Sequence, residues 1–167
     1  MKKLLAILVL GIGIVLTIPN LTFAGCNTVI SADATASLYT CNNYHTFDNT
    51  GGYTLTKSGT IISTVNKSAA GVIILNSGTI QGTGNDTQTI KGANSSGLTV
   101  TNNADAVIEG TFKTLSISSG TSAEITNAGE ITSTGTYAIH ATGAGPQLIN
   151  SETGTISATQ YLSLIHI

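Results

Sequence analysis

The side chains able to do chemistry are few in this chain of 167 residues, and they lie far apart in the sequence. Its carboxylates are Asp33, Asp48, Asp86, Asp105, Glu109, Glu124, Glu130 and Glu152. Cleavage of a glycan needs two carboxylates that converge on one bond, or an acidic cluster that holds a cation beside a base. Asp105 and Glu109 are four residues apart, which is a weak signal for such a pair. Since no convergent cluster can be named, the sequence predicts no catalytic residues and no enzyme.

Metal and cofactor sites have equally weak support in the sequence. The segment GTGNDTQTI, residues 82–90, has its glycines and Asp86 in step with the calcium-binding nonapeptide of β-roll proteins. That motif needs an apolar residue where a glutamine stands here, and tandem copies to complete each calcium shell. His45 and His140 have no cysteine or second histidine at the spacing of zinc ligands. We therefore expect a turn at 82–90, no metal and no cofactor.

Composition and charge indicate an all-β chain that does not bind nucleic acid. Charged residues make up 8% of the sequence, against roughly 25% in an ordinary globular domain. Thr, Ser, Asn, Ile and Val dominate after residue 25, and such residues favour short strands and turns over long helices. After residue 24 the chain carries eight acids and four lysines, a net charge of −4. Because a nucleic-acid interface needs a basic stripe, nucleic acid is not an expected partner.

The segment 1–24 has the layout of a secretory signal peptide. Two lysines at positions 2 and 3 precede an apolar run over 4–18, and a Pro-Asn pair interrupts the pattern. Ala24 then ends a short segment suited to cleavage. The apolar run is shorter than the ~20 residues that a membrane-spanning helix needs. We therefore expect export, with removal of residues 1–24.

Two fates are open for Cys26, which shares the chain with one other cysteine, Cys41. The segment FAGC, residues 23–26, resembles a bacterial lipobox whose cysteine carries a lipid, although Phe stands where Leu is usual. Alternatively, an exported chain meets oxidising conditions, and a disulfide between Cys26 and Cys41 would add about 3 kcal/mol in the loop-entropy model. The even cysteine count favours the disulfide. We place it in an N-terminal cap over residues 25–46.

A repeating unit follows this cap. It is marked by Asn49, Asn76, Asn102, Asn127 and Asn150, with spacings of 27, 26, 25 and 23. Two positions before each asparagine stands an apolar residue: Phe47, Ile74, Val100, Ile125 and Leu148. A second apolar residue follows after four, four, six, four and six positions: Tyr53, Ile80, Ile108, Ile131 and Ile156. Because strand side chains alternate with period 2, we interpret these even distances as keeping both apolar side chains on the inner face.

These features predict an all-β fold, a right-handed parallel β-helix of about five coils over residues 47–161. Each unit reads as two or three short strands and must stack on its neighbours to bury its apolar face. Rungs ~4.8 Å apart would place equivalent asparagines above one another, where their amides can hydrogen-bond as a ladder. Two alternatives remain. A hairpin meander leaves the matching asparagines unexplained, and asparagine is also common in polar turns.

The sequence combines a signal peptide, a two-cysteine lead-in and coils that contain NSGTI and NAGEI. In these features it resembles the N-terminal part of a bacterial autotransporter passenger or a related adhesin-like surface β-helix. The resemblance covers about residues 26–160. It implies a structural or adhesive solenoid on the surface of a Gram-negative bacterium, in its outer membrane or outside the cell. Surface glycans or proteins of a host or a neighbouring cell are the implied partners. A C-terminal membrane barrel is also implied for the full-length protein, and residues after 160 offer no series of strands for it.

The tail LSLIHI, residues 162–167, differs in composition from the repeats, which are rich in Gly, Thr and Asn. It resembles the in-frame translation of a sequencing-library adapter, so we expect these residues not to be native and the chain to be the beginning of a longer product. The alternative is a genuine apolar strand. For function, the alternative is a secreted carbohydrate-active β-helix enzyme of the polysaccharide lyase or glycosidase type. Such an enzyme would need a long loop with clustered acids.

Overall fold

The computed structural model describes residues 28–35, 39–41, 46–57, 60–64, 70–85, 88–92, 96–118, 122–142 and 146–166. These residues form strands joined by turns, and no helix occurs among them. The predicted signal peptide, 1–24, and Cys26 lie outside the described residues. The side chain of Cys41 is not described either, so the disulfide stays a prediction.

The described strands build three parallel sheets. Sheet A consists of β1 (Thr28–Val29), β4 (Thr46–Asn49), β7 (Ala70–Asn76), β10 (Ser96–Asn102), β13 (Ser122–Asn127) and β16 (Gln147–Asn150). Sheet B consists of β2 (Ala34–Thr35), β5 (Thr54–Lys57), β8 (Thr79–Gly82), β11 (Val107–Gly110), β14 (Glu130–Ser133) and β17 (Thr155–Ala158). Sheet C consists of β3 (Tyr39–Cys41), β6 (Ile62–Thr64), β9 (Gln88–Gly92), β12 (Lys113–Ile117), β15 (Tyr137–Thr142) and β18 (Tyr161–His166).

The chain is a parallel β-solenoid, as the repeat predicts. Three successive strands make one coil, and each coil adds one strand to each sheet. The register keeps equivalent repeat positions in line, so that Val72 stands opposite Leu98 and Asn76 opposite Asn102. Each sheet has six strands, one more than the five predicted repeats. The extra rung is short and is formed by β1–β3, within the segment that we predicted to be a cap.

Columns of apolar side chains fill the interior between the three sheets. Sheet A contributes Phe47, Ile74, Val100, Ile125 and Leu148, which are the residues predicted from the repeat. Sheet B contributes Leu55, Ile80, Ile108, Ile131 and Ile156, and sheet C contributes Ile62, Ile90, Leu115 and Ile139. These side chains are fully buried, apart from Leu148 and Ile156 in the last coil, which are partly buried. The core is therefore continuous from coil to coil and depends on stacking.

One member of the predicted inner series is wrong. The register of β5 with β8 places Leu55, not Tyr53, opposite Ile80. Leu55 is fully buried, whereas Tyr53 precedes the strand and is half-buried. Tyr53 and Leu55 lie four and six positions after Asn49, so both distances are even and period-2 alternation alone does not choose between them. The length of the corner at residues 50–53 decides it, because Leu55 lies in β5 and Tyr53 does not.

The tail that we expected not to be native lies largely within a strand. Tyr161–His166 form β18, which pairs in parallel with β15. The backbone of this segment continues sheet C by one rung. Its origin stays a prediction, which the source DNA beyond the codon for Tyr161 tests.

Candidate functional site

The five repeat asparagines form a ladder along the solenoid. Each ends a strand of sheet A, and the parallel register places them in one column. The Nδ2 of each asparagine donates to the Oδ1 of the next one, at 2.8 Å from Asn49, 2.9 Å from Asn76, 2.9 Å from Asn102 and 2.8 Å from Asn127. The first four side chains are fully buried, while Asn150 is exposed at the end of the column.

The same amides also hold the corners between sheets A and B. Asn76 Nδ2 lies 2.9 Å from the Gly78 carbonyl oxygen and 3.1 Å from that of Val107 in the next coil. In return, the Gly78 N–H donates to Asn76 Oδ1 at 3.3 Å. A corner turns buried backbone groups away from their sheet partners, and these groups need others. The asparagine supplies them, which explains why this residue type recurs at this position.

From residue 50 onward, the corners between sheets A and B alternate between two lengths. Wide corners cover residues 50–53, 103–106 and 151–154, and tight corners cover residues 77–78 and 128–129. In the tight corner, a Cβ on Gly129 would collide with the carbonyl oxygens of Asn103 and Ala106 in the preceding wide corner. Asp105 in that wide corner has a positive φ of 63°. Each tight corner is therefore recessed beneath the wider turn of the coil before it, and only glycine fits there.

This alternation leaves a notch of about 240 Å³ between two wide corners. Its floor is the tight corner at Gly129, and its walls are residues 104–107 and the threonines Thr153 and Thr155. Asp105 and Glu130 line it, and both are exposed. Glu109, which the sequence offered as a partner for Asp105, is not among the lining residues and lies half-exposed on sheet B. The notch follows from the corner geometry, and the weak Asp105–Glu109 pair does not meet in it.

Among the described residues, the remaining acids are dispersed. Asp48 is half-exposed and accepts hydrogen bonds from the Thr50 hydroxyl at 2.7 Å and the Thr50 N–H at 2.9 Å. These bonds hold the pKa of Asp48 below its ordinary value, mainly through the hydroxyl. Asp86 and His45 lie outside the described residues. Within the described ranges, no three His, Cys, Asp or Glu side chains come together in an arrangement that could hold a metal ion.

A second column, on sheet C, was not identified from the sequence. Lys113 stands opposite Tyr137, and Tyr137 opposite Tyr161. The two tyrosine rings stack with centroids 5.2 Å apart and planes inclined by 20°. The Lys113 ammonium lies 5.2 Å from the Phe112 ring centroid and 5.7 Å from that of Tyr137. The His140 ring lies 5.0 Å from Tyr137. Positions 113, 137 and 161 are equally spaced in the sequence, and this spacing could have indicated the column.

No helix in the described part of the chain is long and apolar enough to cross a membrane. Neither a protein-family model, nor a curated protein, nor a solved structure matches this chain.

Proposed function

We propose that the chain is the solenoid of an exported, surface-displayed protein of the autotransporter-passenger type, with a structural or adhesive role and no catalytic activity. The uniform stack of coils carries this proposal. Six rungs spaced ~4.8 Å apart span about 24 Å from the first strand of a sheet to the last. Each coil repeats the same three strands, so the architecture suits a rod that presents long faces outside the cell.

The interior of the rod supports a structural role. The buried amide column is hydrogen-bonded from Asn49 to Asn150, and a fully satisfied polar network makes a core more rigid. The outer faces carry short polar side chains that bond along the axis. On sheet B, the hydroxyls of Thr132 and Ser157 lie 2.9 Å apart. Such a surface can stay hydrated while the core keeps its shape.

Export and display are tested on cells that carry the complete natural gene. An antibody against the solenoid is applied to intact and to lysed cells, and the N-terminus of the recovered protein is sequenced. We expect labelling of intact cells and a mature N-terminus after Ala24. A matched control replaces Leu8 and Val9 with arginine, which interrupts the apolar run of the signal peptide and should keep the protein inside.

Labelling that requires lysis, together with an uncleaved N-terminus, would contradict the proposal. Release of sugar fragments from polysaccharides by the purified protein would overturn the non-catalytic part of it. The two results are independent, because display is read on cells and cleavage is read on the purified protein.

A further inference from the structure

Charged residues are segregated among the faces of the solenoid. None of the six described strands of sheet C contains Asp or Glu. The described carboxylates lie on sheets A and B or in the corners between these two sheets: Asp33, Asp48, Asp105, Glu109, Glu124, Glu130 and Glu152. Asp86 lies outside the described residues. Among the described residues, sheet C is therefore the sheet whose strands carry no carboxylate, where an anion meets the least repulsion.

Sheet C also presents one lysine or histidine side chain on each of three successive rungs. Lys91 on β9 and His140 on β15 both stand opposite Ser116 of the strand between them. Two rungs separate Lys91 from His140, which is about 10 Å. Lys113 lies on the middle rung, three residues before Ser116 and so about 10 Å along the strand. Lys91 is exposed, whereas Lys113 and His140 are half-exposed. Two ammonium groups and an imidazole thus occur on three successive rungs, with the backbone of Lys113 displaced to one side of the line from Lys91 to His140.

Aromatic rings border these groups on the same sheet. Tyr137 is half-exposed and Tyr161 is 54% exposed. A tyrosine offers an apolar ring and a hydroxyl at its tip, so it can contact a sugar ring and its hydroxyl groups at once. The cation–π contact of Lys113 with Phe112 and Tyr137 positions its ammonium beside the rings. The basic and aromatic groups of this face therefore lie within one strip.

We propose that this strip, Lys91, Lys113, Tyr137, His140 and Tyr161, binds a linear anionic polysaccharide that has one carboxylate on each sugar. The chain lies along the solenoid axis, with carboxylates beside the lysines and the imidazole and with sugar rings against the tyrosines. A polymer with a regularly repeated charge matches groups that recur on successive rungs. The inference rests on the proposed adhesive role and assigns its ligand class and its face.

A polysaccharide fits these observations better than a nucleic acid does. The Tyr137 and Tyr161 rings stack on each other, so their shared faces cannot take up a base, whereas their edges and hydroxyl groups remain available to sugars. Binding of a single-stranded nucleic acid relies on bases stacked on aromatic faces within a strongly positive groove.

The test measures binding of the purified full chain to polygalacturonate by calorimetry, in low salt with a chelator present. Methyl-esterified polygalacturonate controls for charge, polyglutamate for the sugar rings, and a single-stranded DNA oligonucleotide for nucleic acid. The variant K91Q/K113Q/H140Q removes the two ammonium groups and the imidazole. The variant T101E/I149E adds the same change in net charge, −2, on sheet A. Circular dichroism and urea midpoints establish that both variants keep the fold.

We expect polygalacturonate to bind and the three controls to bind at least tenfold more weakly. K91Q/K113Q/H140Q should weaken binding by about tenfold, the sum of three modest surface contacts, while T101E/I149E should change it less than about twofold. The variant Y161A should weaken it as well. Equal losses in both charge variants, equal binding of the esterified polymer or of polyglutamate, or preference for DNA would each overturn the proposal. Absence of any binding would also overturn it and would leave surface display, which is measured on cells, untouched.

Discussion

The asparagine ladder gives the most direct prediction, a large difference between its buried and exposed members. Asn102 accepts a hydrogen bond from Asn76 and has the Asn127 amide oxygen and the carbonyl oxygens of Ala106 and Glu130 within 3.2 Å of its Nδ2. Since Nδ2 carries two hydrogens, about three bonds are lost in Asn102→Ala. At about 1 kcal/mol each, plus the cost of leaving buried groups unpaired, the expected loss is about 3–5 kcal/mol in the free energy of unfolding.

Asn150 provides the matched control within the same column. It accepts from Asn127 at 2.8 Å and donates to the Gly154 carbonyl oxygen at 2.6 Å, but its side chain is exposed. Water can replace both partners, so Asn150→Ala should cost about 1 kcal/mol or less. The measurement is urea unfolding followed by far-UV circular dichroism. Because a stack of coils can unfold from its ends, the free energies are compared only where the m-values agree.

A third variant separates hydrogen bonding from side-chain volume. Asn102→Asp keeps the size of the side chain but places a carboxylate against the acceptor oxygens that the amide served. Burial and these neighbours should raise the pKa of that carboxyl, so the loss should be largest at neutral pH and should shrink on acidification. If Asn102→Ala and Asn150→Ala lower stability equally, the buried bonds contribute no more than the exposed ones, and the reasoning from burial is refuted.

Three further outcomes are expected. Gly129→Ala should destabilise the chain measurably in urea, because its Cβ would meet the carbonyl oxygens of the preceding wide corner; no change would contradict the recessed corner. Leu55→Ala should cost about 2–5 kcal/mol and Tyr53→Ala clearly less, because only Leu55 is fully buried; the reverse order would restore the repeat frame read from the sequence. Burial raises the pKa of Tyr39, so its neutral form stabilises the fold below about pH 10 and this contribution falls as the pH rises further. Urea midpoints on either side of that pH should show a drop that Tyr39→Phe reduces, and an equal drop in both proteins would contradict the assignment.

The sequence by itself determined the parallel solenoid and its ladder. In a parallel stack with fixed register, residues one repeat apart become neighbours, so a side chain that bonds to its own kind must recur once per coil. Asn76 and Asn102 show this, because they lie one repeat apart in the sequence and their side-chain amides are hydrogen-bonded at 2.9 Å. The apolar residue two positions earlier was equally predictable, because the strand alternation extends from it to the asparagine without a break.

Tertiary structure alone decided the corners and the faces. Tyr53 and Leu55 both stand at an even distance from Asn49, so only the pairing of β5 with β8 could show which of them stands opposite Ile80 in the core. The same holds for sheet C. Lys91, Lys113 and His140 are unequally spaced in the sequence, and no periodic pattern brings these three together. They share a face because each coil is divided into three strands. The boundaries of these strands depend on packing between neighbouring coils, so a single repeat does not determine them.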